Sequence, residues 1–551
     1  MTADWGPVDR LAQLAETIAG SWGARARAST TIGQERALLR LFGVHGIDAT
    51  GRPLAGEAVE RYVGRDHARL AGGVALPFAM ALLEYDVPPQ QAALDVASGA
   101  IDLGLEAELL GKPDRREVAE QEARRLAQAA MARIDANRTA RLELMGVLGD
   151  PPRPWIGTTI VAPLVEAALD EAVARVGDGV DLLRVEVPVG RELASRLTDA
   201  GVEMPAWPWL DADRWAGDEL GSPDLGRGAE KPPTGSQRGL AELRRMLDEV
   251  GAGRRGYVRL ASAAPALAAP EQSVVASFER VDVVEADAMA EIVAGRVDPD
   301  RALSDHAFAH RLLRRAGSSI LVGAGPLAVA PDLASGVPSD PATRAGRALA
   351  LLLLGVALAR GDGIEPEQII VGAVPPWLLD ESGPAARALA EVALRRVLLP
   401  SHPLAFEEPA TVPAAAAAAW PFVLAGVIPS GNSAALILRR PPGGPMRQAV
   451  LAGRAAASVA GEIGAAIGER QLAGPALDHA RAVVLAAIRT LEGLGDRGWR
   501  SVLGEAPGGG ERVRIGGDAV VDRTESFDPL APVPAAERPK GQMQARPAPA
   551  D

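Results

Sequence analysis

Short apolar runs recur along the middle of the chain, between Trp155 and Pro429. They are rich in Val, Ile and Leu, and most of them break off into Gly, Pro, Ala or Ser. Because apolar and polar residues do not alternate within them, these runs are typical of strands buried on both faces, as in a parallel sheet. The seven runs are Ile156–Val161, Val180–Val187, Gly256–Ala261, Arg280–Val284, Ser318–Val322, Gln368–Val374 and Pro421–Ile428.

Segments with helical spacing separate most of these runs. Repeated strand–loop–helix units predict an α/β fold, either a closed (β/α)8 barrel or a doubly wound sheet. We favour the TIM-like barrel, over residues 151–435, with an eighth strand hidden by weak patterning. The strands are expected to stop after Asn432, and the long connection Met204–Gly235 is expected to belong to the site or to an interface.

Helical additions are predicted on both sides of the barrel. Residues 1–150 contain no convincing strand, and Thr31 with Gln34 predicts a capping box at the start of one helix. Residues 436–522 are expected to be helical with a candidate hairpin at 508–521, and residues 523–551 to be a disordered tail rich in Pro and Ala. The helices expected in the N-terminal region are Val8–Ala19, Gln34–Phe42, Ala75–Leu83, Pro89–Ala97 and Arg115–Ile134.

The composition excludes several classes of function. The 551 residues include no cysteine, which rules out disulfides, thiolate nucleophiles and iron–sulfur clusters. The net charge of −13 argues against a nucleic-acid partner. Met1–Arg10 lacks the apolar core of a secretory signal, so we expect a cytoplasmic protein. The apolar segment Ala348–Ala359 is too short to span a bilayer and is predicted to be a buried barrel helix rather than a membrane segment.

Two carboxylates stand where the fourth predicted strand ends. Glu285 and Asp287 would face the mouth of a barrel, where they could accept a substrate ammonium group or transfer a proton. The alternative for Asp287 is a cap on the following helix, and the two interpretations weigh equally for this residue. For Glu285 we favour the pocket.

Other candidate motifs carry less weight. His306 and His310 share a helical face, but the sequence offers no third metal ligand and the arginines that follow would repel a cation. Gly323–Gly325 lacks the third glycine of a dinucleotide fingerprint, so a tight turn is the preferred interpretation. None of the three lysines adjoins a strand end, which argues against a Schiff base formed with pyridoxal phosphate on this chain alone.

Several segments, in their order and spacing, resemble a known family, the α subunits of adenosylcobalamin- and pyridoxal phosphate-dependent lysine 5,6-aminomutase. The similarity extends from about residue 29 to residue 530. It rests on Ser29–Asp48, Pro88–Leu103, Arg244–Leu260, Phe278–Met289, Pro429–Asn432 and Gly516–Pro529.

The resemblance implies a TIM-barrel subunit that works with a separate β-type subunit. That partner would carry the cobalamin domain and the lysine that binds pyridoxal phosphate, and together the subunits would catalyse a radical 1,2-amino shift on a small amino-acid-like substrate. Arg259, Asp287 and Asn432 match the family at contact positions, so with Glu285 they are the expected substrate-binding residues.

Other contact positions of the family are replaced, which implies an altered substrate or, alternatively, a non-catalytic barrel that binds and stabilises a partner subunit. Arg296 could compensate in part for one lost arginine. The replacing residues are Val187, Glu192, Pro265, Ala290, Gly295 and the pair Gly325–Pro326.

Overall fold

The computed structural model describes most of the chain. The predicted Met204–Gly235 connection, the Pro421–Ile428 run and Asn432 lie outside the described residues. The described residues are 5–46, 53–64, 66, 68–162, 165–186, 237–263, 268–295, 298–323, 340–374, 384–407, 433–438, 446–467, 474–498, 520–524 and 527–530.

The N-terminal region is helical, as predicted, apart from one short strand, β1 (Ser29–Thr30). Thr31 caps the second helix, because its side chain accepts a hydrogen bond from the backbone N–H of Gln34. The Gln34 side chain instead donates to the carbonyl of Ser304, so only half of the predicted capping box forms. The helices are α1 (Val8–Ala28), α2 (Ile32–Leu41), α3 (Leu54–Val63), α4 (Ala68–Gly72), α5 (Ala75–Tyr85), α6 (Pro89–Ser98), α7 (Leu103–Leu109) and α8 (Pro113–Leu148).

A closed barrel of eight parallel strands follows, and this confirms the predicted (β/α)8 fold. The strands lie side by side in chain order, and the last one pairs with the first to close the barrel. They are β2 (Trp155–Val161), β3 (Leu182–Glu186), β4 (Arg259–Ala263), β5 (Val283–Glu285), β6 (Ser319–Val322), β7 (Ile369–Gly372), β8 (Leu404–Glu407) and β9 (Ser433–Leu438).

Six of the seven predicted runs overlap barrel strands, β2 to β7. The other two barrel strands overlap none of the predicted runs. β8 lies between the sixth and seventh runs, and β9 begins directly after Asn432. The expectation that strands stop at Asn432 is therefore wrong. Ser433–Leu438 is rich in small residues and leucine, a composition that does not distinguish a strand from a helix.

Side chains alternate between the lumen and the helical layer along each strand, as the two-residue period of a strand requires. Ile156, Leu183 and Leu260, for example, join the large core formed with the helices. A separate buried cluster with members from all eight strands fills the lumen: Trp155, Leu182, Ala261, Val283, Leu321, Ile370, Ala405, Ala434, Ala435 and Ile437.

The helices between the strands form the outer layer of the barrel. One of them, Pro341–Gly361, has 21 residues and is long and apolar enough, by length and composition alone, to cross a membrane. The expectation that the segment Ala348–Ala359 is too short to span a bilayer therefore does not apply to the whole helix. However, 72% of its apolar window is buried inside the fold, as in a core helix. The described helices of this outer layer are α9 (Val165–Gly177), α10 (Gln237–Arg254), α11 (Ala269–Phe278), α12 (Ala288–Gly295), α13 (Pro299–Ala316), α14 (Pro341–Gly361) and α15 (Pro384–Leu398).

Two predicted helices follow the barrel, α16 (Arg447–Ile467) and α17 (Pro475–Arg497), and α17 packs along α14. A last strand, β10 (Val521–Asp522), pairs antiparallel with β1. Most of the candidate hairpin lies outside the described residues, and Val521 pairs with Thr30. The C-terminal segment thus contacts the N-terminal region.

Candidate active site at the mouth of the barrel

Three charged side chains lie inside the barrel, one layer nearer its carboxyl end than the apolar cluster. Arg184, Glu285 and Glu407 each follow an apolar lumen residue by two positions, on β3, β5 and β8. The two-residue period therefore directs them into the lumen. One guanidinium nitrogen of Arg184 lies 3.4 Å from Glu285 Oε2, and another lies 3.2 Å from Glu407 Oε1.

This triad is buried and combines two carboxylates with one guanidinium. The side chains of Arg184 and Glu407 are 4% and 7% exposed, and that of Glu285 is 12% exposed. Two carboxylates face one guanidinium, and burial strengthens the interactions between their charges. An ionised carboxylate only accepts hydrogen bonds, so an ammonium group, with up to three N–H donors, is chemically suited to the two glutamates.

Asp287 lies just beyond Glu285 and is fully buried at the start of α12. One carboxylate oxygen accepts hydrogen bonds from the backbone N–H groups of Met289 and Ala290, while the other accepts from Gly323, at the end of β6. Burial raises the pKa of Asp287, and the three backbone donors oppose that effect. The capping role is thus present, and the same carboxylate joins the ends of two neighbouring strands.

Two glycines allow the end of β6 and the helix α14 to pack closely around Asp287. Gly323 has a φ of +77°, a left-handed conformation that other residues rarely adopt, and a Cβ there would lie 2.2 Å from Leu352. A Cβ on Gly355 of α14 would lie 2.9 Å from Val322 and 3.2 Å from an Asp287 oxygen. The tight turn predicted at Gly323 agrees with this geometry.

His306 and His310 lie on one face of α13, as their spacing predicts, with ring centroids 5.9 Å apart. The Nδ1 atom of His306 lies 2.9 Å from the carbonyl oxygen of Ala302 and 3.2 Å from a Glu291 oxygen. His310 contacts Asp362 and the Ala286 carbonyl. Within the described ranges, no cluster of three or more His, Asp or Glu side chains could hold a metal ion.

Arg259 lies at the opposite end of the barrel from Glu285 and Asp287, because it is the first residue of β4. Its guanidinium stacks 3.9 Å from the centre of the Trp155 ring and forms an ion pair 2.5 Å long with Asp150. The structure therefore does not bring Arg259 together with the mouth residues, and its contacts there are those of a stabilising residue.

The replaced family positions fall mostly in parts of the chain that the structure does not describe. Ala290 and Gly295 lie on α12, and Ala290 donates its backbone N–H to Asp287. The remaining replaced positions lie outside the described residues, as do the matching residue Asn432 and the neighbouring Arg296. These replaced positions are Val187, Glu192, Pro265, Gly325 and Pro326.

Sequence reasoning missed Arg184 and Glu407. Arg184 interrupts an apolar run, and Glu407 ends the short segment Leu404–Glu407. A charged residue within a buried strand was the available signal, because such residues are almost never fully buried without a partner.

Comparison with known proteins agrees with this architecture. A family model described as the D-lysine 5,6-aminomutase TIM-barrel domain of alpha subunit matches residues 1–196 and 234–414. The chain belongs to this family. The resemblance inferred from the sequence segments is thereby confirmed, and so is the barrel.

Two curated relatives are named lysine 5,6-aminomutase alpha subunit. The protein of Fusobacterium nucleatum is 24% identical over 409 residues, which cover 74% of this chain and 71% of that protein. The protein of Acetoanaerobium sticklandii is 25% identical over 323 residues, which cover 59% of this chain and 56% of that protein. These relationships support an aminomutase alpha subunit and do not favour the non-catalytic alternative.

The described part of the mouth does not fit the phosphate of pyridoxal phosphate. A phosphate site needs fixed cationic or N–H donors, whereas the lumen has two carboxylates against one engaged arginine. Lys112 precedes the first residue of α8 in the N-terminal region, and Lys231 and Lys540 lie outside the described residues. We therefore assign no reaction step through that cofactor to these residues.

Proposed function

We propose that this chain is the α-type subunit of a cytoplasmic aminomutase complex, and that a β-type partner subunit supplies adenosylcobalamin and pyridoxal phosphate. Bound on the partner, these cofactors would supply the chemistry of a radical 1,2-amino shift, and this barrel would bind the substrate. Family membership over more than half of the chain supports the subunit assignment. The buried triad at the mouth, with its two carboxylates, is the structural feature that supports the substrate assignment.

The proposed substrate is a small amino-acid-like molecule with a cationic amine. Glu285 and Glu407 accept hydrogen bonds from its ammonium group, and Arg184 fixes the position of both carboxylates. The apolar cluster beneath the triad keeps water out of the lumen, which strengthens these charge-assisted bonds.

We further propose that the substrate is not lysine, because contact positions of the family are replaced in this sequence. Each lost donor costs about 3 kcal/mol, or on the order of a hundredfold in rate. Such effects are not additive, so we expect D- and L-lysine to react at no more than about one hundredth of the rate of the preferred substrate.

The test combines the chain with the β-type subunit of the same organism, both cofactors and a panel of basic amino acids of different chain lengths. Mass spectrometry of the products would detect amino migration. We expect product from at least one amino acid other than lysine. Vigorous formation of diaminohexanoate from lysine would contradict the altered-substrate proposal, and no turnover of any substrate by a stable complex would favour a non-catalytic barrel.

Glutamate variants link this activity to the triad. Glu285→Gln and Glu407→Gln each remove a charge from a hydrogen bond, so kcat/KM is expected to fall by about 10- to 100-fold. Glu249→Gln is the matched control, because that side chain is 62% exposed on α10. If all three variants behave alike, the triad does not bind the substrate.

The division of cofactors between subunits has its own test. We expect the isolated chain to bind no cobalamin, because the proposal gives that cofactor to the partner subunit. Absorbance after gel filtration measures the uptake, with the assembled complex as the positive control. Stoichiometric cobalamin on the isolated chain would contradict this part of the proposal.

A further inference from the structure

The imidazole of His310 is held between two hydrogen-bond acceptors behind the mouth of the barrel. Its Nδ1 atom lies 2.9 Å from Oδ2 of Asp362, and its Nε2 atom lies 3.2 Å from the carbonyl oxygen of Ala286. The side chain is 2% exposed. Ala286 stands between Glu285 and Asp287, so this ring contacts the backbone that presents both carboxylates.

A neutral imidazole cannot satisfy both neighbours, because it has only one N–H. A backbone carbonyl never donates a hydrogen bond. The Asp362 carboxyl group also accepts a hydrogen bond of 2.9 Å from Arg27, so its two oxygens face two different nitrogen groups. A ring protonated at one nitrogen would leave a buried lone pair facing an acceptor, which is costly. Protonation of both nitrogens satisfies every contact.

The neighbouring histidine is suited to remain neutral. Burial, and then the charge of His310, lowers the pKa of His306 to about 3. Among the described residues, the charged groups that face His310 include Asp362 beyond α14, with its partner Arg27 of α1, and Asp287 beyond β5, while His306 lies on the same helix. Two carboxylates lie close to this one ring.

We propose that His310 is a buried imidazolium that positions the carboxyl end of β5, and that Arg27 of the first helix holds its counter-ion Asp362. The contacts form a continuous path from Arg27 through Asp362 and His310 to the carbonyl of Ala286. Only the statement that the positioned carboxylates bind substrate rests on the proposed function. The protonation state and the path do not.

Nitrogen NMR of the full chain, labelled at histidine, tests the protonation state without partner or cofactors. The sequence contains six histidines, and His310→Gln identifies the signals of His310. At about pH 7.5 we expect both ring nitrogens of His310 to resonate as protonated nitrogens, whereas His306 shows one protonated and one unprotonated nitrogen. One unprotonated nitrogen in His310 would overturn the proposal, whatever the outcome of the aminomutase assays.

Variants of Arg27 test the counter-ion path. Arg27→Met should shift the His310 signals toward the neutral ring, and Arg27→Lys, which keeps the charge, should restore them. Arg25→Met is the matched control, because Arg25 lies on the same helix and is 58% exposed in an ion pair with Asp300. Circular dichroism would verify that each variant is folded. If Arg27→Met leaves the His310 signals unchanged, the role of Arg27 is refuted.

Hydrogen exchange of the backbone amides that donate to Asp287 tests whether His310 positions the end of β5. In Asp362→Asn, which removes the counter-ion, the amides of Gly323 and Met289 should exchange at least about tenfold faster, a change that corresponds to about 1.4 kcal/mol. Arg25→Met should leave them unchanged. Loss of the His310 charge without faster exchange would show that the imidazolium does not position this strand end.

Discussion

Replacing Arg184 by methionine tests whether the lumen triad is a true buried ion cluster. Methionine keeps an unbranched side chain of similar length and removes the guanidinium. In the natural chain that guanidinium lies within 3.4 Å of Glu285 and 3.2 Å of Glu407, and all three side chains are largely buried. The variant therefore leaves two carboxylates in the lumen without the cation between them.

The magnitude follows from these distances. Each contact has a gross Coulomb attraction of about 5 kcal/mol at an effective dielectric constant of about 20. Desolvation of the charges offsets much of this, but removal of one partner leaves the penalty for the others. We therefore expect a loss of about 3–5 kcal/mol in the free energy of unfolding.

The loss should depend on pH in a defined direction. Without Arg184, burial and mutual repulsion raise the pKa values of the two carboxyl groups above those in the unfolded chain. Groups of this kind contribute stability at low pH and lose it as the pH rises through their folded pKa values. Arg184→Met should thus be more destabilising at about pH 8 than at about pH 5.

Thermal unfolding of both proteins at the two pH values provides the assay. We compare apparent melting temperatures, because a chain of 551 residues need not unfold in two states. The expected decrease at pH 8 is on the order of 3–4 °C, because the entropy of unfolding grows with chain length. Arg245→Met is the control, since its ion pair with Glu249 is exposed and contributes about 0.5 kcal/mol or less. A decrease no larger than in this control, or one independent of pH, would refute the reasoning.

Two further predictions concern the helices around the barrel. Gly346→Ala should lower the apparent melting temperature, because the added Cβ would lie 2.5 Å from the Cβ of Ala486 where α14 packs on α17. The control Gly20→Ala, where a Cβ would meet open space, should raise the melting temperature slightly. Equal effects of the two changes would contradict this packing. Burial raises the pKa of Glu35, which accepts a hydrogen bond from the N–H of Val74, so the natural chain loses stability as pH rises through that value. The near-isosteric Glu35→Gln does not titrate, so its melting temperature relative to the natural chain should increase from about pH 5 to about pH 8, and a constant difference would argue against the raised pKa.

The barrel could be predicted from sequence because six strands are contiguous apolar runs. Such runs arise when both faces of a parallel strand are buried, and their regular separation by helices indicates a barrel or a doubly wound sheet. The strands β8 and β9 lack this signature. Leu404–Glu407 is only four residues long, and Ser433–Leu438 begins with small residues.

Sequence could place residues at the mouth of the barrel only where one segment contains the relevant signal. Glu285 and Asp287 could be placed because they follow an apolar run directly. The partners Arg184 and Glu407 lie on strands far away in sequence, and only the register of the closed barrel brings them to Glu285. Arg259 shows the reverse case, since the resemblance implied a substrate-binding role but this residue starts β4, at the opposite end of the barrel.

The outer helices determine the geometry of the mouth as much as the strands do. Beyond the last ladder bond, the backbone groups of a strand need other partners. His310 of α13 contacts the carbonyl of Ala286 at the end of β5, and Arg395 of α15 donates to the carbonyl of Gly372 at the end of β7, at 2.7 Å. Asp287 accepts from Gly323 at the end of β6. Three consecutive strand ends are thus held by buried ionisable side chains, so substitutions in the helical layer can alter the site without touching a ligand.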